Sequence, residues 1–210
     1  MLRYAITDRG AIAGTEVYRQ KCLIQQVGGW AAAGIEFVQV REKELGAGEL
    51  TDLVKGMVAA VRAASATGGS RTRVLVSRRA DIAVAAGADG VHLTGAAGEL
   101  TAEQVREVYR RAGLAEPVVS GSCHTVAEVE RASEAGVDLV LFGPVFGKVV
   151  SGVEVVAGVG IGGLRAACKA AGRTRVLALG GVTDTNAREC FEAGAVGAAG
   201  IRLFMEKLEK

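Results

Sequence analysis

The sequence predicts a single α/β domain over residues 1–210, a (β/α)8 TIM barrel. Three observations predict it. Apolar runs of strand length alternate with helical stretches from end to end, the pattern of parallel strands joined by crossover helices. The strand candidates are almost continuously apolar, as strands covered on both faces must be. Eight such units fit in 210 residues, a compact case of an architecture that usually takes about 200–250.

The candidate strands, in order, are Leu2–Thr7, Ile35–Val40, Val74–Ser77, Gly90–Leu93, Val118–Ser122, Asp138–Gly143, Val176–Leu179 and Val196–Ala199. The helical stretches that follow them are Glu16–Ala33, Leu50–Ala66, Ala80–Ala86, Ala102–Ala112, Val126–Ala135, Gly162–Ala171, Asp184–Ala193 and Leu203–Leu208. Eight units close a ring without sheet edges, whereas an open doubly wound sheet more often uses about five or six strands. The last strand is the least marked, because it holds only Ala, Gly and Val. One phrase recurs at the helix-to-strand joints: Ala33-Gly34-Ile35, Ala86-Gly87-Ala88, Ala135-Gly136-Val137 and Ala193-Gly194-Ala195. In each, glycine stands where the chain leaves a helix through positive φ. Thr101-x-x-Gln104 and Thr125-x-x-Glu128 are capping-box patterns that start helices. Gly68-Gly69-Ser70 reads as a surface loop, and no domain boundary is evident.

Half the residues are hydrophobic but only 4% are aromatic, and 30 are glycine against 2 proline. That mixture suits tight turns and close helix–sheet packing. The net charge of +2 gives no reason to expect nucleic acid or an anionic membrane as partner. Cys22, Cys123, Cys168 and Cys190 form no C-x-x-C pair and no zinc spacing, so no metal site is expected of them. A chain with this much aliphatic core needs no disulfide scaffold, and a reducing compartment follows. With no signal peptide and no apolar run of about 18 residues, a soluble cytoplasmic protein is expected. The oligomeric state is not fixed by sequence, though an alanine-rich helical exterior suits a homodimer.

Barrels of this kind place their chemistry where strands end and βα loops begin. The second strand ends in Gln39-Val40-Arg41-Glu42-Lys43. Strand alternation puts Gln39, Arg41 and Lys43 on one side with Ile35 and Phe37. If that side faces the axis, two cations and an amide crown the mouth and call for an anionic ligand. The competing reading is a solvated rim, its cations paired with Glu42 and Glu44. The third strand ends in Ser77-Arg78-Arg79, where Arg78 either joins the cationic mouth or lies on the surface and Asp81 is a partner for Arg79. His124 ends the fifth strand just before a capped helix, a suitable place for a proton-transfer group. His92, between Val91 and Leu93, reads as structural. Cys123 points away from its neighbour His124, so a Cys–His nucleophile is not expected. Gly180-Gly181 and Gly200-Ile201 follow the seventh and eighth strands, where backbone N–H groups often bind phosphate. Gly158-Val159-Gly160 is a candidate to complete that cradle.

Together these segments resemble the thiamine-phosphate synthase superfamily, which includes the TenI-type thiazole tautomerases. The matching pieces are Tyr4-Ala5-Ile6-Thr7-Asp8-Arg9, Val38-Gln39-Val40-Arg41-Glu42-Lys43, Gly87-Ala88-Asp89-Gly90-Val91-His92-Leu93, Ser122-Cys123-His124-Thr125, Phe142-Gly143-Pro144-Val145-Phe146 and Ala178-Leu179-Gly180-Gly181-Val182. They stand in family order over almost the whole chain. The resemblance implies a small phosphorylated heterocycle as ligand. It also implies substrate contacts at Gln39, Arg41, Lys43, Ser77, Arg78 and Ser122, and phosphate contacts at Gly180, Gly181, Gly200 and Ile201.

The departures separate the family's activities. The synthases couple a pyrimidine pyrophosphate to a thiazole phosphate. They use an Asn-Asp pair after strand three and an Asp after strand four to help hold magnesium. Here the pair is Ser77-Arg78 and the later position is Ala97. The synthase segment Thr-x-Thr-Lys is replaced by Lys148-Val149-Val150-Ser151, so its lysine is missing. Magnesium favours hard oxygen ligands, usually with a carboxylate. Unless Glu99 or another acid supplies one, a metal-independent thiazole tautomerase is expected, with His124 as general acid and base and no cofactor. Arg41, Lys43 or Arg78 would receive the ligand's carboxylate. The alternatives are a magnesium-dependent thiamine-phosphate synthase and a non-catalytic binding protein for a thiamine-pathway metabolite.

Overall fold

The computed structural model describes residues 1–66, 71–150 and 153–204. Its strands are β1 (Leu2–Ile6), β2 (Phe37–Val40), β3 (Arg73–Ser77), β4 (Gly90–Leu93), β5 (Val118–Cys123) and β6 (Leu139–Phe142), then a hairpin of β7 (Lys148–Val150) and β8 (Val153–Val156), then β9 (Arg175–Leu179) and β10 (Gly197–Gly200). All but the hairpin pair in parallel into one closed barrel, in the order β1-β10-β9-β6-β5-β4-β3-β2. The helices are α1 (Glu16–Ala32), α2 (Ala47–Ala66), α3 (Ala80–Ala86), α4 (Ala102–Arg111), α5 (Val126–Glu134), α6 (Gly160–Ala170) and α7 (Ala187–Glu192). This is the (β/α)8 barrel expected from the alternation. The strands and helices lie within a few residues of the expected spans.

Three local differences stand out. The β7–β8 hairpin is antiparallel and falls between the sixth and seventh barrel strands, where no strand was expected. Its valine-rich sequence is the signal that sheet propensity offers for it. A 3-10 turn at Arg9–Ala11 follows β1, capped by the Asp8 side chain. The helix expected at Leu203–Leu208 is a turn through residues 201–204, and the rest of it lies outside the described residues, as does the loop expected at Gly68–Ser70.

Strand parity divides the core in two. Outward residues such as Ala5, Val38, Val74, Val91, Val119, Val140 and Val176 pack against Leu23, Val27, Leu53, Met57, Val105 and Leu164 of the helices. The inward residues Tyr4, Ile6, Phe37, Leu75, Val118, Leu139, Leu141, Leu177 and Ala199 fill the axis. Tyr4 and Phe37 stack there with ring centres 5.8 Å apart. The recurrent joint glycines, Gly34, Gly87, Gly136 and Gly194, all have positive φ, and both capping boxes form.

The small residues of the barrel are required by close backbone approach. A Cβ on Gly90 would sit 1.9 Å from the Val118 carbonyl oxygen, and one on Gly197 would sit 2.0 Å from that of Leu2. The residue that made the eighth strand hard to read is thus one the closure demands. Gly90→Ala should destabilise the protein by about 2–3 kcal/mol, because backbone rather than a pliant side chain must move. Gly29→Ala, inside α1 with nothing within 4 Å of the added carbon, should stabilise by about 0.5–1 kcal/mol. Urea unfolding of the two variants checks both signs.

Candidate active site

A cleft of about 1170 Å³ opens at the C-terminal ends of the barrel strands, ample for a small ligand. Gln39, Arg41, Lys43, Ser77, Arg78, Ser122, His124, Gly180, Gly181, Gly200 and Ile201 all line it. These eleven make up about a third of its lining.

At the β2 edge, Thr7 fixes the chain. Its hydroxyl donates to Glu42 Oε1 at 2.6 Å and accepts from the Arg41 N–H at 3.0 Å. Glu42 is 4% exposed, and burial pushes its carboxyl up against the opposing pull of Thr7 and Arg9. Arg9 gathers the local carboxylates, reaching Glu16 at 3.0 Å and both Glu42 and Glu44 at 3.8 Å. The rim reading, in which Glu42 and Glu44 neutralise Arg41 and Lys43, is therefore not what forms. Among the described residues, Arg41 and Lys43 make no ion pair with any carboxylate. Sequence reasoning missed Arg9, whose matching segment was in view but whose reach to β2 was not.

Deeper in, Gln39 Nε2 donates to Ser77 Oγ at 2.6 Å. Among the described residues, Gln39 Oε1 is buried without a partner, an atom that a ligand or water must satisfy. Beside it runs a polar chain along the axis. Tyr4 Oη lies 2.9 Å from Ser120 Oγ, Ser120 Oγ 2.9 Å from His92 Nδ1, and His92 Nε2 2.9 Å from Ser122 Oγ. His92 is 2% exposed. Burial holds its pKa down to about 4, with Arg41 adding to that and Glu99 opposing it. His92 is structural in being buried and hydrogen-bonded, yet it also lines the cleft.

Arg78 has φ +63, a left-handed conformation costly for a residue with a Cβ. Its N–H is held by the His92 carbonyl at 2.8 Å and its Nε meets Glu99 at 2.6 Å. Glu99 also accepts from the Thr94 N–H at 2.8 Å, the Thr94 hydroxyl at 2.9 Å and the Ala96 N–H at 3.2 Å. Burial alone pushes this carboxyl up, but Thr94, Arg78 and Ala96 together hold it below the ordinary carboxylate value.

His124 follows β5, the strand paired with β4. Its Nδ1 is 2.5 Å from the Gly143 carbonyl, which cannot donate, so Nδ1 carries the proton and Nε2 is left as an acceptor. Cys123 faces the outer core instead, 2% exposed, and burial pushes its thiol up to about 11.

The glycine loops are shaped by contact with the cis Gly143–Pro144 segment. Gly180 and Gly181 have φ of 92 and 66, and added Cβ atoms would lie 2.7 Å from Pro144 and 2.6 Å from Phe146. The Val145 and Phe146 N–H groups donate to the Leu179 and Gly180 carbonyls at 2.8 and 3.0 Å. Asn186 spans the same loop, donating to the Gly181 carbonyl and accepting from the Thr183 N–H. Among the described residues, the N–H groups of Gly181, Val182, Ile201 and Arg202 have no protein acceptor. Trp30 Nε1 donates to the Phe204 carbonyl at 2.8 Å, which ties the turn after β10 to α1. Gly158 and Gly160 correct an expectation. They do not line the cleft. Gly158 packs against Val145 and Gly147, and the Gly160 N–H is already given to the Val145 carbonyl at 2.9 Å.

A family model described as thiamine monophosphate synthase matches residues 3–204. The chain belongs to this family.

A Geobacter sulfurreducens protein named "Putative thiamine-phosphate synthase" is 37% identical over 199 residues, covering 93% of this chain and 83% of that one. A thiamine-phosphate synthase of Methanoculleus marisnigri is 34% identical over 80% of this chain and 74% of its own. The thiamine phosphate pyrophosphorylase of Pyrococcus furiosus superposes with a TM-score of 0.76 over 99% of this chain and 89% of its own. At 24% identity, that likeness speaks for the fold. The relatives' names carry the coupling activity, the alternative among the sequence expectations, rather than the tautomerase.

The carboxylates that line the cleft are Glu42, Glu99 and Asp184. Glu99 is the carboxylate beside Ser77 and Arg78, and its oxygens are taken by Arg78, Thr94 and Ala96. Among the described residues, no three His, Cys, Asp or Glu side chains converge to hold a metal.

The depressed pKa of His92 makes a testable statement about stability. The unfolded ring takes its proton near pH 6.5, the folded ring only near 4. Between these values the unfolded state binds more protons, so stability is lost as pH falls, by up to about 1.4 kcal/mol per pH step. His92→Gln should remove that part of the slope. Urea midpoints measured from pH 7 to pH 4 for the two proteins check it.

Proposed function

We propose that this member of the family isomerises a carboxylated thiazole phosphate by metal-independent proton transfer, with His124 as the acid–base group. One observation carries the reading. At the edge where a magnesium-holding carboxylate would be needed, the chain places the Arg78–Glu99 ion pair, while His124 presents a free Nε2 over the same cleft.

The geometry serves each part of such a reaction. The open N–H groups of Gly181, Val182, Ile201 and Arg202 suit a phosphate. The unpaired cations Arg41 and Lys43 suit a carboxylate at the other rim. Held between them, the ring brings an acidic C–H to His124 Nε2. The proton passes to the imidazole, whose Nδ1–H remains bonded to the Gly143 carbonyl, and returns to the far end of the conjugated system. No atom is gained or lost, and the product is the aromatic isomer.

A second reading has its own support. The relatives' names favour coupling of a pyrimidine pyrophosphate to a thiazole phosphate, and Arg78 could meet pyrophosphate charge in place of a metal ion. Purified protein should be assayed for both: tautomerisation in EDTA, and coupling with magnesium. Under the first reading tautomerisation proceeds in EDTA, and His124→Gln lowers kcat by about 10²–10⁴ with little change in phosphate affinity. Magnesium-dependent coupling without tautomerisation would replace it with the second. Ligand binding with no turnover of either kind would leave a binding protein.

A further inference from the structure

We propose that the buried hydroxyls of Tyr4 and Ser120 donate a hydrogen bond to His92 Nδ1, so that His92 keeps its own proton on Nε2 and Ser122 faces the cleft as a hydrogen-bond donor. His92 is then a positioning residue that acts through Ser122.

The argument is a count of protons. Tyr4 and Ser120 are fully buried. Among the described residues, their hydroxyls find partners only in each other and in His92 Nδ1, at 2.9 Å for Tyr4–Ser120, 2.9 Å for Ser120–His92 and 3.5 Å for Tyr4–His92. Two hydroxyl protons must be placed in this triangle. If Nδ1 carries a proton it cannot accept one. Both hydroxyl protons would then compete for the single Tyr4–Ser120 contact, and one would be buried without an acceptor, at a cost of about 1–3 kcal/mol. If Nδ1 is bare, each proton has a place: Tyr4 donates to Ser120 and Ser120 donates to Nδ1. The reverse order, Ser120 to Tyr4 and Tyr4 to Nδ1, also leaves Nδ1 as the acceptor. Every fully satisfied arrangement therefore puts the ring proton on Nε2, because the buried ring is neutral and carries only one.

From Nε2 the proton points at Ser122 Oγ, 2.9 Å away. Ser122 is partly exposed on the cleft wall. It accepts from His92, and its own proton is left for the cleft. The site thus offers a fixed donor at mid-height, matched to a lone pair on the ligand: a ring nitrogen or an oxygen, not an N–H. The two histidines hold opposite tautomers, Nε2–H at His92 and Nδ1–H at His124, each set by the partner on its other side. The proton assignment stands on the hydrogen bonds alone. The ligand's class rests on the reading of this cleft as a thiazole phosphate site.

Ring-¹⁵N-labelled wild-type protein at pH 7 gives the direct test, since long-range ¹H–¹⁵N spectra report which ring nitrogen is protonated. His124→Gln assigns the two sets of signals. Nε2–H at His92 with Nδ1–H at His124 is expected. Nδ1–H at His92, or a mixture of tautomers, overturns the proposal. Calorimetry with a synthetic thiazole phosphate then tests the consequence. Ser122→Ala should weaken binding about tenfold. His92→Asn, which can still meet Ser120 but no longer reaches Ser122, should weaken it severalfold, yet add nothing in the Ser122→Ala background. Additive losses would overturn the action through Ser122. If wild-type protein does not bind the thiazole phosphate, the ligand class fails and the spectrum alone decides the proton's place.

Discussion

A closed parallel barrel admits to its axis only every second residue of each strand, and that constraint organises everything at this site. The axis has two halves. On β6, β9 and β10 the inward residues are Leu139, Leu141, Leu177, Leu179 and Ala199, which make a dry wall. On β2 through β5 the inward upper positions are Gln39, Ser77, His92, Ser120 and Ser122, joined by hydrogen bonds. The apolar floor of Tyr4, Phe37 and Leu75 lies beneath. A ligand entering from the top therefore meets hydrocarbon on one side and an ordered polar surface on the other. A one-residue slip in β2, β3 or β5 would exchange a valine for a glutamine or a serine in the outer core and dismantle both.

The charges at the mouth follow a second rule, that a buried or half-buried charge must be matched. The chain spends its carboxylates selectively. Glu42 and Glu44 go to Arg9, and Glu99 goes to Arg78. Arg41 and Lys43 are thereby left unmatched on the cleft wall, which sets the sign of what the cleft attracts. Glu42 and Glu99 are each met by an arginine and by N–H and hydroxyl donors. The left-handed backbone at Arg78 fits this arrangement. It turns the residue at the end of β3 across the loop to Glu99 rather than along the strand, and the ion pair and the His92 carbonyl together offset its conformational cost.

Much of this was legible in the sequence, and the limits have physical reasons. The parity of Gln39, Arg41 and Lys43, the Ala-Gly joints and the loop positions of Gly180 and Gly200 follow from local period and composition. Local pattern does not contain register. That Ser120 and Ser122 of β5 flank His92 of β4 depends on which residues lie side by side across the two strands. Strand pairing sets this through residues many positions apart. The Arg9–Glu42 contact is hidden for the same reason. Gly158 and Gly160 were misjudged because a glycine pair tells where a backbone can bend, not whether its N–H is already used. The β7–β8 hairpin is not legible in the alternation of strands and helices, because a short antiparallel excursion contributes nothing to it.

The two histidines show how a fold can set chemistry without charge. Both rings have one nitrogen fixed by a buried partner, and the identity of that partner decides what the other nitrogen does. A carbonyl, which can only accept, makes His124 Nε2 basic toward the cleft. A pair of hydroxyls with one proton too many for their own contact makes His92 Nδ1 an acceptor and sends a donor toward Ser122. The cleft wall thus carries an acceptor at one height and a donor at another, between a rim of free cations and a cradle of free N–H groups. Under the proposed isomerisation, a ligand anionic at both ends would lie along the axis between these charges, with its rotation set by matching lone pair to donor and acidic C–H to base. In the proposed isomerisation the buried network, with His92 acting through Ser122, would supply the orientation that proton transfer to His124 needs.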